Sequence, residues 1–80
     1  RELLLVKVKA VGAQRAEIQR ISEIFRAQIV DVTPTAYSIQ LTGTSEKLDA
    51  FIAAQAEGTV LEVARTGVCG IARGDKVLAL

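Results

Sequence analysis

Residues 24–42, IFRAQIVDVTPTAYSIQLT, constrain the fold more tightly than any other stretch of this chain. They read as the last turn of a helix, a strand, a tight break at Thr33, Pro34 and Thr35, and a second strand. Tyr37, Ile39 and Leu41 share one face of that second strand, while Ser38, Gln40 and Thr42 face the other way. Val30 and Val32 share one face of the first. Alternation with a period of two means a half-buried antiparallel ribbon. Pro34 has no backbone N–H to give a ladder, so it belongs in the connection.

The flanking patterns complete the layout. Residues 3–10 alternate, with Leu4, Val6, Val8 and Ala10 on one face and Leu3, Leu5, Lys7 and Lys9 on the other. Because both faces begin apolar, this strand is expected in the middle of the sheet. Residues 14–25 switch to helical spacing, with Ile18, Ile21, Ile24 and Phe25 as the core stripe. Arg15, Glu17, Gln19, Arg20, Ser22 and Glu23 are left to solvent. Arg26 suits the negative end of that helix. A second helix is expected to start near Gly43, Thr44, Ser45 and Glu46, with a hydroxyl as cap. Leu48, Phe51 and Ile52 form its stripe, and Gly58 is the natural stop. Residues 59–65 return to strand, with Leu61 and Val63 on one face and Val60, Glu62 and Ala64 on the other.

The order β-α-β-β-α-β predicts an α+β ferredoxin-like sandwich of the ACT-like kind: a four-stranded antiparallel sheet with two helices on one face. All of residues 1–80 belong to this one domain, with residues 66–80 as a short tail beyond it. If the strand order is 4-1-3-2, Lys7 and Lys9 lie in mid-sheet on the helix-free face, with Gln40 on one side and Glu62 on the other. Leu3, Leu5, Ile29 and Val60 are expected on the same face. Such a mixture is neither plainly solvated nor plainly core, and it predicts a contact surface. In the tail, Gly67, Gly70 and Gly74 punctuate an apolar run that is expected to add an edge strand or pack on a neighbour.

Composition narrows the function classes. The 80 residues carry a net charge of +1 with both signs interspersed, which gives no footprint for nucleic acid or anionic membrane. Half the residues are hydrophobic. That is ample for a domain of this size, and any excess favours self-association. There is no histidine, which removes the commonest general base and metal ligand. Cys69 is the one cysteine, so it has no resolving partner and no imidazole to activate it; it fits a cytoplasmic protein. No run approaches the roughly 20 apolar residues a bilayer demands. The chain lacks methionine and opens on Arg1, which suggests a piece of a longer or processed polypeptide.

The tail glycines match neither G-x-G-x-x-G nor G-x-x-x-x-G-K-[ST], and they read as turns. Arg73, Gly74 and Asp75 form a tripeptide that recurs by chance. Asp31 falls inside a strand and reads as an exposed position on an edge. RNA-binding sheets of this topology stack bases on aromatic rings of their central strands. Here Phe25 and Phe51 fall on helix stripes and Tyr37 on the core face, so neither RNA binding nor catalysis is expected.

The runs FRAQIVDV (25–32), LTGT (41–44) with KLD (47–49), and EVARTG (62–67) resemble the C-terminal half of the small, regulatory subunit of acetolactate synthase, also called acetohydroxyacid synthase. The resemblance extends over essentially the whole chain. It implies a subunit without a catalytic site, which binds the thiamine-diphosphate-dependent large subunit, raises its activity and confers feedback inhibition in branched-chain amino-acid biosynthesis. Thiamine diphosphate, Mg and FAD are then expected on the large subunit, and no cofactor or metal on this chain. The valine effector is associated with an N-terminal ACT domain that this sequence lacks. The resemblance also implies a homo-oligomer, with a dimer expected. For such a role the helix-free face, with Lys7, Lys9, Gln40 and Glu62, is the candidate contact with another small-subunit copy. Residues 65–73, with Arg65, Gly67 and Arg73, are the candidate contact with the large subunit or the ACT half. The rival reading is a stand-alone ACT-like module that senses an amino acid.

Overall fold

The computed structural model describes residues 1–66; Gly67, Cys69, Arg73 and the rest of the tail lie outside the described residues. Six elements follow in order: β1 (Glu2–Lys9), α1 (Gln14–Phe25), β2 (Gln28–Val32), β3 (Ala36–Gly43), α2 (Ser45–Ala54) and β4 (Val60–Arg65). All strand pairs are antiparallel and the sheet order is β2-β3-β1-β4, the expected 4-1-3-2 seen from its other edge. This is the ferredoxin-like sandwich.

The alternating strands set the core. Leu4, Val6 and Val8 of β1 stand opposite Leu41, Ile39 and Tyr37 of β3, and all six are buried. Ala10, Ile18, Leu48 and Phe51 complete the cluster from the turn after β1 and from the two helices. Each large apolar side chain removed from water in this way contributes about 1.5–3 kcal/mol before the entropy of ordering it. Phe25 meets Phe51 edge to face, with ring centroids 5.3 Å apart and planes at 81°.

Helix ends follow local chemistry. The Thr44 hydroxyl accepts the Lys47 N–H at 3.2 Å and caps α2. Helix α2 ends at Ala54, and Gly58, with φ of +77°, serves the following turn rather than the helix stop expected of it. Arg26 ends α1 in the left-handed conformation, φ +59°, with its own N–H on the Glu23 carbonyl. The expected charge at the helix end is present, but the residue is there as a backbone cap.

The structure corrects four details. Ile24 is 66% exposed, and Ser22 takes its place on the buried side of α1. Arg15 is not a solvent residue: its Nη1 donates to the carbonyls of Ala10, Thr33 and Pro34 at 2.9, 3.0 and 3.2 Å, and its guanidinium lies 4.5 Å from the Tyr37 ring centre. It ties the start of α1 to the hairpin tip, where the Thr33 hydroxyl accepts the N–H groups of Thr35 and Ala36. The other two corrections are bulges. In β2 the register shifts between Ile29 and Asp31, so Ile29 pairs with Ile39 and packs against the core, while Val30 and Val32 are exposed. In β4 the register shifts opposite Lys7 and Val8, so Val60 pairs with Val8 and packs on the core, while Leu61 is the unpaired, exposed residue. One extra residue reverses the side-chain alternation beyond it.

Candidate interaction face

With both helices on one side, the other side of the sheet is open. Residues on one face of antiparallel strands sit directly opposite their register partners. Lys7 stands between Glu62 on β4 and Ser38 on β3. Its Nζ meets the Glu62 carboxylate at 3.5 Å, a loose pair of two solvent-accessible groups. Such pairs contribute little to stability, at about 0–1 kcal/mol. Leu5, 45% exposed, lies between Gln40 and Ala64. Leu3 pairs with Thr42, and Lys9 with Ala36 at the far end. The expected set therefore shares one face, with a correction of register: Gln40 flanks Leu5 rather than Lys7. Ile29 and Val60 leave this face because of the bulges. A shallow depression of about 110 Å³ runs between Leu5, Lys7, Ser38, Glu62 and Ala64. None of the three aromatic rings lies here, so the face offers no platform for a stacked base.

Arg65, expected to reach outward, is engaged within the domain. Its Nη2 and Nε donate to the Glu2 carboxylate at 2.8 and 3.3 Å, and its Nη1 to Asp49 at 2.5 Å. The Ser45 hydroxyl donates to the same Glu2 carboxylate. One guanidinium thus joins the start of β1, the end of β4 and the first turns of α2. Nothing in the spacing of Glu2, Ser45, Asp49 and Arg65 announces this cluster. Only the neighbouring positions of β1 and β4 in the strand order hint at it. Gly67 and Arg73, the other candidates in residues 65–73, lie outside the described residues.

The cluster has a pH consequence. Hydrogen bonds from Arg65 and Ser45, with the nearby positive charge, hold the Glu2 carboxyl below its ordinary 4.5, and the two carboxylates in turn raise the Arg65 guanidinium. A carboxyl depressed in the folded state contributes stability that is present in full above its unfolded value and lost as pH falls through its folded value. Thermal unfolding between pH 7 and pH 3 should therefore show a destabilisation below about pH 4.5 that Glu2→Gln reduces. An unchanged acid limb in Glu2→Gln would show that the cluster is without thermodynamic weight.

Among the described residues no three His, Cys, Asp or Glu side chains are grouped to hold a metal, and no helix is long and apolar enough to cross a membrane. What the geometry defines is a small ferredoxin-like domain with one packed and one open sheet face. Comparison with known proteins then places it. Residues 1–74 match the family model described as the small subunit of acetolactate synthase. The acetolactate synthase isozyme 3 small subunit of Salmonella typhimurium is 56% identical over 79 residues, covering 98% of this chain and 48% of that protein. The corresponding subunit of Escherichia coli is 54% identical over 79 residues, with the same coverage. The crystal structure of the acetolactate synthase small subunit from Thermotoga maritima superposes with a TM-score of 0.78 at 39% identity, covering 82% of this chain and 40% of that one. The chain belongs to the acetolactate synthase small-subunit family, and it spans about half the length of the curated relatives it matches.

Proposed function

We propose that this chain is the C-terminal domain of a regulatory subunit, which supports assembly with the thiamine-diphosphate-dependent catalytic subunit of acetolactate synthase and its activation and feedback control. The family match over nearly the whole chain carries the reading. The open sheet face supports it, because Leu3 and Leu5 in mid-sheet are covered by no element among the described residues. In this reading the face around Lys7, Lys9, Gln40 and Glu62 meets a second small-subunit copy. Residues from Gly67 to Arg73 are the candidates for the catalytic subunit or the N-terminal half; Arg65 anchors the strand from which they depart. Thiamine diphosphate, Mg and FAD belong to the catalytic subunit, and the valine effector to an ACT domain.

Regulation by such a domain requires contacts that differ between two states of the partner. The first requirement is a contact at all. Co-sedimentation of the chain with the purified catalytic subunit is the expected result. A folded chain that stays at its own sedimentation position with the catalytic subunit in excess would move that contact to another part of the regulatory subunit.

A further inference from the structure

Where α1 hands over to β2 lies an open cleft of about 230 Å³, lined by Arg26, Gln28, Gln40, Leu41 and Thr42. The register explains the grouping. Gln28 pairs with Gln40, and Gln40 and Thr42 stand on the open face beside Leu5 and Leu3. Leu41 is buried in the core, so the other four supply polar walls. Arg26 is the unusual member. Among the described residues it alone, glycines aside, has a positive φ, at a helix end where glycine is the favoured cap. The backbone therefore does not call for arginine here. The fold does not use the guanidinium either, since among the described residues it makes no ion pair and no side-chain hydrogen bond. Arg15, Arg20 and Arg65 are each engaged within the domain.

The chemistry of the walls selects a ligand class. Arg26, Gln28 and Thr42 are exposed and Gln40 is half-buried, so all four side chains can be reached from the cleft. No carboxylate lines it. A guanidinium takes a carboxylate through two parallel N–H···O bonds. The two amides and the hydroxyl each offer a donor and an acceptor, which suits hydroxyl groups on the ligand. One positive charge matches a monoanion and leaves a dianion in excess. Asp31, one row further along the same face opposite Ser38, adds to that bias. We infer that this cleft is a binding site for a small hydroxylated monocarboxylate, its carboxylate on the Arg26 guanidinium and its hydroxyls on Gln28, Gln40 and Thr42.

Four probes test the site on the 80-residue chain: glycerate, glycerol, isobutyrate and inorganic phosphate, titrated while ¹H–¹⁵N shifts of backbone and side-chain amides are followed. Glycerate should give saturable shifts at Arg26, Gln28, Gln40 and Thr42. It should bind about tenfold or more tightly than glycerol, which lacks the charge, and about threefold or more tightly than isobutyrate, which lacks the hydroxyls. Arg26→Gly keeps the left-handed cap, so it should stay folded with a urea midpoint at or above that of wild type. It should weaken glycerate by about tenfold, and Thr42→Val by about threefold. Absence of saturable shifts, or equal binding of glycerate to wild type and Arg26→Gly, would overturn the site. Phosphate or isobutyrate binding more tightly than glycerate would overturn the ligand class. A midpoint of Arg26→Gly well below wild type would show that the guanidinium serves the fold instead of a ligand.

Discussion

Replacing Phe51 by alanine should remove a large part of the stability of this domain. Phe51 is completely buried, joins α2 to the sheet, and holds Phe25 of α1 edge to face. Truncating a buried phenylalanine costs about 3–5 kcal/mol, from lost transfer energy and an unfilled cavity together. An 80-residue domain has roughly 4–12 kcal/mol in total. The helices are 12 and 10 residues long, too short to hold together without their packing. Urea unfolding followed by circular dichroism should show the Phe51→Ala midpoint lowered by at least about 1 M, since each molar of urea removes about 1–3 kcal/mol. Phe51→Leu, which keeps much of the volume, should remain folded with a reduced midpoint. A Phe51→Ala midpoint close to that of wild type would mean that the two helices are held by something other than this contact.

The second large effect concerns association rather than folding. Replacing both Lys7 and Lys9 by glutamate leaves the core untouched, because their side chains lie on the open face. It sets a carboxylate at position 7 opposite Glu62, where like charges directly across a strand pair repel. At an interface between two copies, every such charge is presented to a partner and loses water on contact. Sedimentation equilibrium should show self-association weakened by at least about tenfold, equivalent to roughly 1.4 kcal/mol. The unfolding midpoint should shift little. Lys47→Glu, on the first turns of α2, provides the matched control and should associate as wild type does. If the double variant assembles normally, the open face is a solvated surface and the contact lies elsewhere.

How much of this was legible in the sequence depends on what sets each feature. Alternation in residues 3–10 and 36–42 fixed two strands and the faces of Leu4, Val6, Val8, Tyr37, Ile39 and Leu41, because a period of two admits only two choices. The position of β4 beside β1 then brought Glu62 to Lys7, as expected. The bulges were not legible, since Val30 and Leu61 are ordinary β-formers and carry no glycine or turn residue to mark an extra position. Without them, Ile29 and Val60 fall on the wrong face.

The helix reading failed in a related way. Ile24 and Ser22 both lie near the edge of the α1 stripe, and hydrophobicity alone assigned the burial to isoleucine. In the structure the small serine is buried, with its hydroxyl unpartnered among the described residues. Arg15 and Arg65 looked like surface charges because each finds its partners through distant parts of the chain. The partners of Arg15 are carbonyls, which no residue type announces. Those of Arg65 are two carboxylates 63 and 16 positions away. The candidate face was legible because pairing within a sheet is local and periodic; the cluster around Arg65 was not, because it forms where three elements end.

The most direct test of the open face as an assembly surface is amine labelling of the assembled protein, read by mass spectrometry. Lys7 and Lys9 stand on that face and Lys47 on α2, so one reagent compares the two sides within one molecule. The prediction is that Lys7 and Lys9 label several-fold more slowly in the assembled state than after dilution to the free chain, while Lys47 labels at the same rate in both. Equal labelling of Lys7 and Lys9 in the two states, with assembly confirmed by sedimentation, would contradict the assignment.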